Sequence, residues 1–252
     1  MVQPLSGKPT FGAGRVFATA NQNNPTPARA FVPQSQSIDF KRKTESLFGE
    51  YQMALAVGAG EMDVSGKVEM GKTQPRILSD IMLGDTQASG SYLEADGELV
   101  AVAASSPYTG TVVNSATFLF DLGVVNPTTG AILTCVASAP VAGKSYMVTA
   151  GVYTFAAGDE GVSYAISYAY SITTTGATIA MNNQPQGLTG QFQAVHVLPW
   201  GAQQDIFVFT NCIAGGYSHS LKKSGFGSSS LDYMAFVGTN GSLGTATFAD
   251  AA

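Results

Sequence analysis

Between Met62 and Met70 apolar and polar residues alternate without a break. Met62, Val64, Gly66, Val68 and Met70 take one set of positions, and Asp63, Ser65, Lys67 and Glu69 take the other. A period of two sends the two sets to opposite faces of a strand. The segment therefore predicts a strand that covers a core with one face and offers charge to water or to a partner with the other. Gly71 ends it. Residues 163–172 (SYAISYAYSI) repeat the pattern. Tyr164, Ile166, Tyr168, Tyr170 and Ile172 share one face; Ser163, Ala165, Ser167, Ala169 and Ser171 share the other. A strand face of small neutral residues suits close approach of another sheet or subunit, since a solvent face usually carries Lys or Glu. Ile206-Phe207-Val208-Phe209 is apolar on both faces and predicts a central strand covered twice.

Turn signals punctuate these strands. Asp96-Gly97 lies between SYLEA and ELVAVA, and Asn240-Gly241 between MAFVGT and SLGTATF. Both dipeptides suit the positive φ angles of a type I′ turn, so both predict hairpins. NPTTG at 126–130 predicts a turn between strands at 117–125 and 131–136. Residues 15–19 and 35–41 are further strand candidates, 21–27 (NQNNPTP) reads as a loop, and 1–10 as an extended arm. Residues 43–51 fit either a long loop or a hairpin tip. One helix is expected at about 74–83. Thr73 is placed to cap it, Pro75 falls in its first turn, Ile77, Leu78, Ile81 and Met82 form an apolar stripe, and Gly84 suits the left-handed C′ position. Such a helix would plug an open end of a β core. The chain is thus expected to be mainly β.

Charge is scarce: 12 Lys+Arg and 17 Asp+Glu make 12% of 252 residues, against roughly 25% in an ordinary soluble domain. A surface this poor in charge is expected to be covered by further copies of the chain. The net charge of −5 is uneven. Residues 1–76 carry nine Lys+Arg and six Asp+Glu, whereas residues 77–252 carry three and eleven. Such asymmetry can steer one face of a subunit onto another. The one basic cluster, Lys41-Arg42-Lys43, is flanked by Asp39 and Glu45, which favours a solvated or interface loop over a phosphate site. The N-terminal sequence lacks the pattern of a signal peptide, and no run of about 18 apolar residues predicts a membrane helix. Cys135 and Cys212 are expected to be reduced and buried.

Chemistry is thinly represented. His196 falls in a strand-like stretch and reads as structural. Gly216-Tyr217-Ser218-His219-Ser220 resembles a nucleophile elbow only loosely, because Ser220 replaces the second glycine. Glu94, Asp96 and Glu98 fit either a weak cation site or, better, a solvated acidic turn. Gly58-Ala59-Gly60 lacks the third glycine of a dinucleotide loop. Trp200 is the one Trp, and a carbohydrate-binding module would need an exposed aromatic platform around it. No catalytic residue, metal ligand or cofactor is predicted.

The order of segments carries a resemblance. An arm leads into GAGRVFATANQNNPTP, then a polar strand region, then the lone helix TQPRILSDIMLG. Asn24-Pro25-Thr26-Pro27, Leu47-Phe48-Gly49 and Gly66-Lys67-Val68 fall in that frame, and the chain closes on DIFVFTNCIAGGYSHSLKKSGFGSSSLDYMAFVGTNGSLGTATF. In this the chain resembles the major tail tube proteins of long-tailed bacteriophages.

The resemblance implies a single domain spanning 1–252: a β sandwich or partial barrel with one flanking helix. It also implies an inter-ring loop at about 41–58 and a β elaboration at about 104–175. Six copies would form a ring, and stacked rings would make a hollow virion tail tube, assembled in the host cytoplasm, through which double-stranded DNA is ejected without specific binding. The implied partners are the chain itself, the tape measure protein, the tail terminator and distal tail or baseplate proteins, with no membrane. An acidic balance suits such a conduit, because an anionic wall repels phosphates. Lys41, Arg42, Lys43, Glu45, Leu47, Phe48 and Tyr51 are the candidate subunit interface. Asp63, Ser65, Lys67 and Glu69 are the candidate lumen or ring-contact face. A capsid decoration or baseplate subunit is the alternative reading.

Overall fold

The computed structural model describes residues 12–21, 26–29, 33–48, 50–183, 190–200 and 203–248, without the side chains of Trp200 and Gln203. The arm 1–10, Gly49, most of the 21–27 loop and the ring of Trp200 lie outside the described residues. In chain order the strands are β1 (Arg15–Ala20), β2 (Ala28–Arg29), β3 (Pro33–Phe48), β4 (Ala54–Met70), β5 (Ala88–Ala101), β6 (Thr109–Thr111), β7 (Phe118–Val125), β8 (Ile132–Cys135), β9 (Ser145–Thr149), β10 (Val152–Thr154), β11 (Ser163–Thr178), β12 (Gln191–Trp200), β13 (Gln203–Ser220), β14 (Ser228–Ala235) and β15 (Gly244–Thr247). The protein is mainly β, as its alternating segments predict. It divides into two compact units, Met1–Gln87 with Ile179–Ala252, and Ala88–Thr178. The stretch 104–175 falls inside the second.

The first unit is one sheet in the order β2-β1-β12-β13-β14-β4-β3, with β15 also paired to β13. On β4 the expected alternation holds from Asp63 to Met70: Val64, Val68 and Met70 are buried, while Asp63 and Lys67 are exposed. Met62, expected on the core face, is exposed, because β14 stops pairing with β4 at Val64 and the core ends there. Val16, Ala18, Phe192, Phe209, Leu231 and Tyr233 join them in one core. Gly66 belongs to this face because a Cβ there would land inside the Tyr233 ring. The sheet curls strongly. His196 on β12 and Gln36 on β3 lie four strands apart, roughly 19 Å in a flat sheet, yet His196 Nδ1 and Gln36 Oε1 are 2.8 Å apart.

The expected helix is present, with residues 77–83 in π-type turns. That wider turn changes the stripe: Ile77, Ser79 and Ile81 are buried, whereas Leu78 and Met82 are half-buried. Ile77 and Ile81 complete the core of the first unit. Gly84 is left-handed at the C-terminus, with φ 68°, as predicted. Thr73 does not cap the helix. Its hydroxyl instead meets Ser229 Oγ at 2.9 Å and His219 Nδ1 at 3.2 Å.

The two predicted type I′ hairpins are not formed. Asp96-Gly97 sits inside the continuous strand β5, and the register against β11 shifts there, Ala95 facing Tyr168 and Glu98 facing Ile166. Gly97 takes φ 66° as the left-handed residue of a bulge. The same backbone angle serves a turn or a bulge; the 16 residues of β11, which cover both halves of β5, decide for the bulge. At Asn240-Gly241 the chain does turn, but β14 and β15 both pair with β13 instead of with each other. Phe236 N–H donates to Asn211 O, and Thr210 N–H to Leu243 O. Residues 237–242 are thus an excursion from one interrupted strand. β13 is central as expected, with Phe209 buried and Ile206, Phe207 and Val208 half-buried, so cover on its second face is partial.

The second unit is a seven-stranded sheet, β5-β11-β7-β8-β9-β10-β6. NPTTG makes the expected turn between β7 and β8, with Asn126 Oδ1 accepting from the N–H of Thr128 and Thr129. Its core is rich in tyrosine. Tyr164, Ile166 and Tyr168 point inward as the alternation predicts, and the Phe155 and Tyr164 rings stack at 4.8 Å. Each buried phenol finds a carboxylate: Tyr146 and Tyr153 donate to Asp121, Tyr164 to Asp159, and Tyr168 to Glu98.

Candidate functional site

Residues 41–58 form an antiparallel arm. β14 runs beside β4 only as far as the pair Ala235–Val64. Beyond that point β4 continues for ten residues, Asp63 back to Ala54, paired with β3 alone. Among the described residues β3 has no strand on its other side. Every described residue from Asp39 to Asp63 is exposed. The arm is therefore a two-stranded ribbon with both edges open and both faces bare.

Its composition conflicts with that exposure. Residues 51–60 (YQMALAVGAG) carry no charge. Tyr51 is 82% exposed, Met53 84% and Leu55 71%, with Leu47, Phe48 and Val57 in the same condition. Isolated two-stranded hairpins are marginal in water, and long apolar edges invite pairing with another chain. The predicted interface residues all lie here. Lys43 Nζ meets Glu61 Oε2 at 2.8 Å, and Arg42 Nη2 lies 3.8 Å from Met62 Sδ. Lys41 faces Asp63 across the ladder, and Glu45 faces Gly58. Exposed pairs of this kind contribute at most about 1 kcal/mol. They set the register of the arm without stabilising it much. Leu55 and Val57 lie within the expected inter-ring span 41–58 but not among its named contacts, although the uncharged run at 51–60 was the available signal.

The second predicted set shares the outward face of β4. Lys67 Nζ lies 3.9 Å from Asp232 Oδ1 on β14, and Ser35 Oγ on β3 donates to Glu69 Oε2 at 2.9 Å. Asp63 is exposed, and Ser65 is half-buried opposite Asp39 and Met234. This face is mixed in sign and cross-linked between strands, which makes it a polar surface and not an acidic patch.

The remaining chemical candidates have structural partners. Ser218 lies within β13 opposite Ser230, 2.9 Å between hydroxyls, so no nucleophile elbow forms there. His219 Nδ1 contacts Ser229 Oγ at 3.1 Å, but Ser229 is buried. The bulge at Gly97 reverses the parity of β5 and sends Glu94 and Glu98 to opposite faces. Glu98 is occupied by Tyr168 and by the N–H of Val113. Among the described residues no group of three or more His, Cys, Asp or Glu converges on a metal-sized site, and no helix is long and apolar enough to cross a membrane. Both cysteines are free; Cys212 is buried, but Cys135 is exposed, contrary to expectation.

His196 is fully buried. Gln36 Oε1 can only accept, so Nδ1 carries the proton, and Tyr233 donates its hydroxyl hydrogen to Nε2. Burial lowers the imidazole pKa to about 4 and keeps the ring neutral. Comparison of the chain with protein-family models and with curated proteins finds no match.

Proposed function

We propose that the chain is a non-enzymatic structural subunit that closes into rings, and that stacked rings build the hollow tail tube of a long-tailed phage. What carries this reading is the arm. A ribbon with two open edges, exposed at its described residues and with an uncharged apolar strand at 51–60, is costly in a monomer and ordinary at an interface between copies. The free outer edge of β3, 16 residues long, supplies a second border for a neighbour to pair with. Sheet continuity between neighbours would remove both edges. The tape measure protein, the tail terminator and the distal tail proteins are the partners this role brings with it, and double-stranded DNA would pass through without specific binding.

The test is negative-stain microscopy of the purified full-length chain over a range of concentration. Rings of uniform diameter and hollow tubes are expected. Persistent monomers at high concentration would sink the proposal, and discrete trimers would transfer it to a decoration or baseplate subunit.

A further inference from the structure

The arm leaves the sheet at a cleft. β14 turns away from β4 at Phe236, the excursion 237–242 folds outward, and the chain rejoins β13 at Leu243. Met62, Ile213, Met234, Phe236, Val237 and Leu243 line the resulting open cleft of about 520 Å³, and Asp63 is the one charged residue on its wall. Met62, Met234 and Val237 are each about half exposed. Along the same wall the edge of β4 from Asp63 to Ala54 lacks a ladder partner among the described residues.

We propose that this cleft receives the hairpin tip of a second copy of the chain, whose strand extends the ladder from the free edge of β4. The inference rests on the tube reading and names the contact within it. An occupant must offer backbone N–H and C=O groups to β4, apolar side chains to the cleft, and little charge. Residues 51–57 meet all three requirements. A copy cannot fill its own cleft, because eight residues of extended β4 hold Ala54 roughly 27 Å from Met62. Tip and cleft are thus separate surfaces on one molecule, and their contact is head-to-tail, the kind that propagates into rings or filaments.

The test is cysteine cross-linking of the full-length chain in a Cys135→Ser background. Val57→Cys combined with Val237→Cys, under mild oxidation, is expected to give a ladder of dimers, trimers and larger species that collapses on reduction. Either cysteine alone should stop at dimers. Val237→Asp is expected to keep the wild-type melting temperature, since the side chain is exposed, and to lower the sedimentable assembly at least about tenfold, the effect of roughly 1.4 kcal/mol per contact. Tubes that form normally with Val237→Asp, or that give no ladder from the double variant, would overturn the docking while leaving the tube reading intact. A wild-type chain that never assembles would overturn both.

Discussion

Gln36 and His196 are joined by a 2.8 Å hydrogen bond although they stand on strands four places apart in the same sheet. That bond, with the one from Tyr233 to Nε2, ties β3 to β12 and β14 across the hollow of the curl. It needs a neutral ring, because protonated Nε2 cannot accept from Tyr233. The folded pKa, about 4, lies below the unfolded value of 6.5. The unfolded chain therefore binds the extra proton first. The contribution of His196 is complete above pH 6.5 and is lost as pH falls from 6.5 to about 4, by about 3 kcal/mol in all. Urea denaturation at steps between pH 7 and pH 4, compared with His196→Gln, isolates this slope from that of the carboxylates. Equal slopes in the two proteins would refute the assignment.

Gly66 is where β4 makes room for an aromatic ring. Tyr233 on β14 is its register partner, and any Cβ at position 66 overlaps the phenol ring. Gly66→Ala is expected to destabilise the fold by about 1–3 kcal/mol, the range for overpacking a core. The same change at Gly58, in the open arm, meets nothing closer than 3.9 Å and should leave the melting temperature unchanged. Thermal melts of the two variants side by side provide the check. Equal shifts would mean that the ring has space to yield.

The tyrosines of the second unit make it sensitive to alkali. Burial, then the hydrogen bond and the charge of Asp159, push Tyr164 up to about 12. Burial, then Asp121, raises Tyr146 and Tyr153 further. Because the folded pKa exceeds the unfolded value near 10, the folded chain retains these protons. The associated stability is whole below pH 10; the share of Tyr164 disappears as pH rises through about 12, and those of Tyr146 and Tyr153 only at higher pH. Absorbance at 295 nm should show some tyrosines ionising near pH 10 and the buried group only together with unfolding. Asp121→Asn leaves one buried phenol without its acceptor and is expected to cost about 1–3 kcal/mol. Free titration of every tyrosine near pH 10 would contradict this picture.

Local pattern carried much of the architecture. The alternation at 62–70 and at 163–172 marked both strands and most of their buried faces, since side-chain parity is a property of the strand itself. Met62, beyond the end of the core, is exposed, and on β11 Ala169 is buried while Tyr170 and Ile172 are half-buried. Two glycine dipeptides misled, because a left-handed residue fits a turn or a bulge and only the partner strand decides between them. The π-type hydrogen bonding of the helix has no counterpart in a stripe of apolar residues at 3.6-residue spacing. The buried triad of Gln36, His196 and Tyr233 was invisible for a different reason: its members are 160 and 37 positions apart, and only the curl of the sheet brings them together. The arm was half legible. Its span, 41–58, and its basic cluster were legible, whereas the exposure of the whole uncharged strand 54–60 was not, because an apolar run does not say whether its own fold covers it.

The arm also makes a prediction about dynamics. Its amides are bonded only within a two-stranded ribbon, with water on both faces. Local opening there costs little, so amides of 44–60 in the dispersed subunit should exchange with solvent far faster than those of 64–70, which lie between β3 and β14 above a packed core. Assembly would place a neighbour against the arm and slow its exchange, while 64–70 would change little. Hydrogen–deuterium exchange followed by mass spectrometry, on dispersed subunits and on the assembled particle, resolves both segments. Protection confined to the particle supports a role for the arm between copies. Arm amides that exchange equally fast in both states would show that whatever holds copies together lies elsewhere on the molecule.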